Sequence, residues 1–214
     1  MQKQSGGTLT LDKSVINEKR MLRQAMSASR NAMQPEIRMQ LSETIGKMLW
    51  QHVRAAVVAN VMAYVPYRSE VDTRPFIEQA WREGIEVILP QCEVETRAMT
   101  LFKVRQWSEL REGAYGIMEP DPELAEACGD TFVPEIIIAP GLAFGKNGAR
   151  LGYGGGYYDR FKERLMLCGN SALPVWLGAA FSLQLVEWLP SERHDAMMDA
   201  VVTEHGIWRT QTDR

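Results

Sequence analysis

The ten residues Arg150 to Asp159, RLGYGGGYYD, place four glycines, three tyrosines, a cation and a carboxylate side by side. Folding alone gives little reason for that density. Glycine lacks Cβ, so its backbone takes positive φ and lets an anion come close to the N–H groups. Helical spacing follows at once: in Tyr157 to Cys168, residues Tyr158, Phe161, Leu165 and Cys168 share one face, and Gly169 and Asn170 end the pattern. A helix starting there adds unpaired N–H donors and a partial positive charge. Phosphate is the natural ligand. The helix dipole contributes only about 0.3–1 kcal/mol at an exposed site, so a polyphosphate needs further cations or a metal. The string is neither GxxxxGKS/T nor GxGxxG with a spaced acidic partner, so it is not an ordinary P-loop or dinucleotide fingerprint. A glycine-rich chain reversal without a ligand is the plainer alternative.

The partners a phosphate would need are present elsewhere. Val15, Leu22, Met26 and Met33 form an apolar stripe at helical spacing, and Lys19, Arg23 and Arg30 run along its edge, either as a solvated face or as cations reaching into a cleft. Asp159 is placed to offer oxygen to Mg²⁺ or simply to complement the helix start. Asp199 precedes the apolar Ala200-Val201-Val202 and depends on the fold to bring it near. Glu70, in the segment Val65 to Thr73 that leaves a strand, can accept hydrogen bonds from a heterocycle or serve as a surface acid.

These residues must be held by regular elements. Helices are expected over 13–32 and 35–53, the second opened by Gln34-Pro35. A strand is expected from Ala56 to Val65, a helix from Asp72 to Glu83, and strands over Glu86–Leu89 and Met99–Val104. The run FVPEIIIAP, Phe132 to Pro140, reads as a buried strand, followed by a helix over 155–168 and strands over 174–180 and 200–202. That alternation implies an α/β fold in three layers, with a mainly parallel sheet flanked by helices and ligands beyond the carboxyl ends of its strands. The whole chain is expected to be one domain, its first dozen or so residues flexible.

A net charge of −3 argues against a nucleic-acid partner. No apolar run is long enough to cross a bilayer, so neither a membrane nor export is expected, and the protein is read as a cytoplasmic monomer. Cys92, Cys128 and Cys168 lack paired spacing, and His52, His194 and His205 lack metal-ligand spacing.

Taken together, KRMLR at 19–23, SEVDT at 69–73, YGIMEP at 115–120, APGLAFGKNGARLGYGGGYYDRF at 139–161 and MMDAVVTE at 197–204 resemble the 5-formyltetrahydrofolate cyclo-ligase family. The resemblance implies ATP- and Mg²⁺-dependent conversion of 5-formyltetrahydrofolate, with one glutamate or several, into 5,10-methenyltetrahydrofolate, releasing ADP and phosphate through a phosphorylated formyl intermediate. It further implies that Lys19, Arg23 and the run Arg150, Leu151, Gly152, Tyr153, Gly154, Gly155, Gly156, Tyr157 and Tyr158 contact ATP, with Lys19, Arg150 and Tyr157 acting in the chemistry. Asp159 and Asp199 match magnesium positions. Val65, Glu70 and Tyr153 to Tyr157 match folate positions, and Tyr115 stands where some relatives carry tryptophan. Some relatives have lysine at the position of Gly155 and arginine at that of Tyr153, so this chain lacks two cations there. A sugar-phosphate isomerase or CoA-transferase-like enzyme would share the architecture without needing ATP. A non-catalytic nucleotide- or RNA-binding module fits the acidic balance poorly.

Overall fold

The computed structural model describes residues 8–113, 116–167 and 173–210. Two long helices, α1 (Thr8–Asn31) and α2 (Pro35–Ala56), precede β1 (Asn60–Met62), α3 (Arg74–Arg82), β2 (Glu86–Cys92) and β3 (Met99–Val104). The short strands β4 (Leu110–Glu112), β5 (Met118–Pro120) and β6 (Glu126–Ala127) lead to β7 (Ile136–Ala139), β8 (Ala143–Gly145) and β9 (Arg150–Leu151). The chain continues through α4 (Tyr157–Leu167), β10 (Val175–Ala179), β11 (Leu185–Val186), β12 (Ala200–Thr203) and β13 (Gly206–Arg209).

The main sheet has the order β13-β12-β10-β7-β1-β2-β3-β6. Every pairing from β12 to β2 is parallel, while β13, β3 and β6 add antiparallel edges. The expected α/β architecture is therefore present. Its strands are buried on both faces, so the period-2 alternation separates two apolar sets rather than apolar from polar. Val61, Ile136 and Ile138 point into the core shared with Ile45, Leu49, Phe76 and Ile77 of α2 and α3. Met62 and Ile137 point the other way, against Phe161 and Leu165 of α4. No described helix is long and apolar enough to cross a membrane.

Three expected boundaries shift for physical reasons. The strand expected from Ala56 begins at Asn60, because α2 runs through Ala56 and ends on Val57 in the left-handed region, φ 53°. The strand expected over Phe132 to Pro140 is only Ile136–Ala139; Pro134 has no N–H for a ladder, and Phe132 closes a turn on Gly129. The glycines do not follow that strand directly. A small sheet, β11-β8-β9, intervenes, turned at Lys146-Asn147-Gly148. Strands this short show no readable period.

Burial pushes the thiol of Cys92 up to about 12 and that of Cys128 to about 11, so both stay protonated near neutral pH. Cys168 lies outside the described residues.

Phe144 of β8 locks the small sheet to the main one. Its fully buried ring fills the space above Gly178 of β10, where a Cβ would stand 2.5 Å from Cε1. Gly178→Ala is therefore expected to destabilise the protein by about 1–3 kcal/mol through overpacking. Urea unfolding measures this, and an unchanged midpoint would show that the ring moves aside freely.

Candidate active site

The loops after β1 and β7 leave the carboxyl ends of the parallel strands, and α1 and the β8–β9 hairpin meet them there. β9 delivers Arg150, whose guanidinium donates to Pro140 O at 3.2 Å and to Asp159 Oδ1 at 3.4 Å. It also lies over the Tyr158 ring, 4.8 Å from the centroid. Its side chain is only 6% exposed, and its buried Nε has no hydrogen-bond partner among the described residues.

The four glycines that follow share one feature. A Cβ on Gly152 would stand 2.9 Å from Arg150 Nη1, and one on Gly156 would stand 2.9 Å from Arg160 Nη1. Arg23 Cζ lies 3.6 Å from the Cβ position of Gly154, and Arg97 Nη1 lies 3.7 Å from that of Gly155. Side chains at Gly152 and Gly156 would thus crowd the Arg150 and Arg160 guanidinium groups, while Arg23 and Arg97 stand at ordinary contact distance from Gly154 and Gly155. Arg23 Nε donates to Gly152 O at 2.9 Å, and Arg97 and Arg160 share Gly155 O at 3.1 and 3.3 Å. Of these, Arg23 and Arg150 are anticipated by the sequence. Arg97 and Arg160 are not: nothing in a sequence pattern brings the β2–β3 turn to this loop, and the turn of the Arg160 side chain back onto Gly155 O is a matter of its rotamer on α4.

Arg30 forms the floor. It is 1% exposed, and its three nitrogens donate to Ser69 Oγ at 3.0 Å, Gly141 O at 3.1 Å and the Tyr153 hydroxyl. Its place on the edge of the helical stripe was legible; its burial was not. Two loop positions thus receive a guanidinium from elsewhere in the chain, Arg30 at Tyr153 and Arg97 at Gly155.

Glu70 is 6% exposed, and its Oε2 accepts the Tyr67 N–H at 2.9 Å. Burial holds its pKa above the usual carboxylate value, against the opposing pull of that N–H, Arg30 and Tyr153. Burial and the Glu70 charge likewise push the Tyr153 phenol up to about 12, so it remains a proton donor. Val65 and Glu70 both line a cleft of about 780 Å³ that runs out past Trp107 to Gly116 and Met118. Tyr115 lies outside the described residues.

The remaining expected residues divide by position. Tyr157 lays its ring where a Cβ on Gly155 would meet it at 2.8 Å. Leu151 is buried, and Tyr158 packs edge-on to Trp176 with centroids 6.4 Å apart, so both turn toward the core rather than the cleft. Lys19 donates to Asp195 at 2.9 Å and Glu192 at 3.2 Å. Burial alone would lower its pKa; these two carboxylates outweigh that and raise it, so it stays charged. Glu192, His194 and Asp195 are the only cluster of three candidate metal ligands among the described residues, and two of them already hold Lys19.

Asp159 Oδ1 accepts both the Ala196 N–H at 2.9 Å and Arg150, which leaves Oδ2 as a hard oxygen donor suited to Mg²⁺. Asp199 stands at the start of β12, where Oδ2 accepts the Trp176 N–H at 2.8 Å. That is the amino end of the parallel strands, the end away from Glu70 and Gly141.

The model of the 5-formyltetrahydrofolate cyclo-ligase family matches residues 15–204. A Saccharomyces cerevisiae protein named 5-formyltetrahydrofolate cyclo-ligase is 30% identical over 207 residues, covering 88% of this chain and 96% of its own length. The Escherichia coli K12 protein of that name is 32% identical over 180 residues, covering 84% and 96%. The solution structure of Aquifex aeolicus 5,10-methenyltetrahydrofolate synthetase superposes with a TM-score of 0.76 at 33% identity, over 92% of this chain and 94% of that one. Ordered match, shared fold and the glycine-rich site agree: the chain is an enzyme of the 5-formyltetrahydrofolate cyclo-ligase family.

Proposed function

We propose that the protein converts 5-formyltetrahydrofolate and ATP into 5,10-methenyltetrahydrofolate, ADP and phosphate. The observation that carries this reading is the set of four guanidinium groups packed over four glycines beside the buried acceptor Glu70. Such a cradle suits a triphosphate, and one buried carboxylate at the end of a long cleft suits the N–H edge of a pterin.

A formamide is a poor electrophile, since its oxygen would have to leave as hydroxide. In the proposed sequence the formyl oxygen attacks the γ-phosphorus of ATP and ADP leaves. N10 of the folate then adds to the activated formyl carbon and loses its proton. Phosphate departs with the C–O bond as the ring closes. Arg150 and Arg23 neutralise the transferring phosphoryl group, and Lys19 joins them by exchanging Asp195 for phosphate oxygen. The Tyr157 ring covers Gly155 between the two substrates. Such positioning and charge neutralisation is what phosphoryl transfer needs. Asp159, through Oδ2, would hold Mg²⁺, which when bound offsets the charge of the triphosphate; Asp199, at the amino end of β12 with its Oδ2 on the Trp176 N–H, stands apart from that position.

The near-ultraviolet absorbance of the methenyl product should appear only when ATP and the formylated folate are both present, and product formation without ATP would reject the reading. Arg150→Ala is expected to slow single-turnover conversion by about a hundred- to a thousandfold. A near-normal rate would remove Arg150 from the charge clamp.

Glu70→Gln is expected to weaken folate binding and leave ATP binding intact. The pH dependence has a definite sign. The ionised carboxylate accepts from a pterin N–H edge with both oxygens and with charge assistance, whereas protonation turns one oxygen into a donor, so affinity is lost as pH falls through the Glu70 pKa, which burial has raised. Folate affinity of the wild type should therefore fall at a higher pH than an ordinary glutamate would impose, and Glu70→Gln should lack that acid limb. Identical pH profiles for the two would exclude the assignment.

A further inference from the structure

Arg97 lies in the turn between β2 and β3, far in sequence from the glycine-rich segment, yet its guanidinium bonds to Gly155 O. Its backbone is left-handed, φ 58°, a conformation that side-chain-bearing residues adopt rarely and that glycine would adopt freely. Turn formation alone therefore does not call for arginine here. The side chain is held by a carbonyl, and among the described residues it forms no ion pair with a carboxylate, so its exposed charge remains open to an anion. A Cβ on Gly155 would collide with the Tyr157 ring at 2.8 Å, which bars a cationic side chain from that position. Arg97 Nη1 lies 3.7 Å from the same point, where such a side chain would begin. Arg160 shares the carbonyl but grows from α4 itself.

We infer that Arg97 is a binding residue for the phosphate groups of the nucleotide, supplying from the β2–β3 turn the cation that the Tyr157 ring keeps out of position 155. This rests on the reading of the loop as the ATP site. It commits Arg97 to recognising the polyphosphate rather than the base, the sugar or the folate.

Equilibrium binding of ATP and of adenosine to the wild type and to Arg97→Ala, Arg97→Gln, Arg97→Lys and Arg150→Ala tests it. Arg97→Ala and Arg97→Gln should each weaken ATP by about tenfold, the effect of one charge-assisted hydrogen bond, while leaving adenosine unchanged. Arg97→Lys should keep most of the ATP affinity. Glutamine can still donate to Gly155 O, so wild-type ATP affinity in Arg97→Gln would show that the bond merely props the loop and would overturn the inference. Equal losses for ATP and adenosine in Arg97→Ala would overturn it as well. ATP binding that fails in Arg150→Ala but is unaffected in every Arg97 variant would refute Arg97 alone. A wild type that does not bind ATP would refute the function on which the inference rests.

Discussion

The buried guanidinium of Arg30 is the constraint on which the site depends. A cation at 1% exposure must have its N–H groups satisfied, since burying an unpaired charge costs several kcal/mol. Arg30 meets that demand with acceptors from three separate segments: Ser69 after β1, Gly141 after β7 and Tyr153 in the glycine-rich loop. Each acceptor is neutral, and the nearest influence of opposite charge is the buried Glu70, linked through Tyr153. One side chain on α1 therefore ties the segment that carries Glu70 to the glycine-rich loop. Without it, the link between the Glu70 segment and the loop would rest on Tyr153, which contacts Glu70 and packs edge-on to Tyr67.

The loop itself shows why glycine recurs there. Positive φ accounts for Gly154 and Gly156, at 98° and 73°. Space accounts for the other two, because the Arg150 guanidinium stands over Gly152 and the Tyr157 ring over Gly155. Four like charges so close together repel one another, and part of that repulsion is relieved by the carbonyls of Pro140, Gly152 and Gly155 and by Asp159. A polyanion relieves the remainder. In the proposed function, that electrostatic strain in the free protein becomes affinity for the nucleotide.

Much of this was legible in the sequence, and what was not has a common cause. Ile136, Ile137 and Ile138 announced a doubly buried strand, and Phe161 and Leu165 announced the inner face of α4, because local periodicity reports burial directly. The density of glycines from Gly152 to Gly156 announced the loop, and the charged edge of α1 announced Arg23. The β8–β9 hairpin escaped because strands of three and two residues carry no period. Arg97 and the destination of Arg30 escaped because they depend on contacts 58 and 123 residues apart in the chain, which local pattern cannot encode. Asp199 looked like a strand-edge acid, and its bond to the Trp176 N–H gives it that structural work.

The central claim is that the cradle activates the formyl group by phosphorylating its oxygen. Following that oxygen tests it most directly: 5-formyltetrahydrofolate labelled with ¹⁸O in the formyl group is turned over with ATP in unlabelled water, and the released phosphate is analysed by mass. The account predicts that the label passes into inorganic phosphate, one atom for each methenyl product formed. Recovery of the label in water, with unlabelled phosphate, would contradict it.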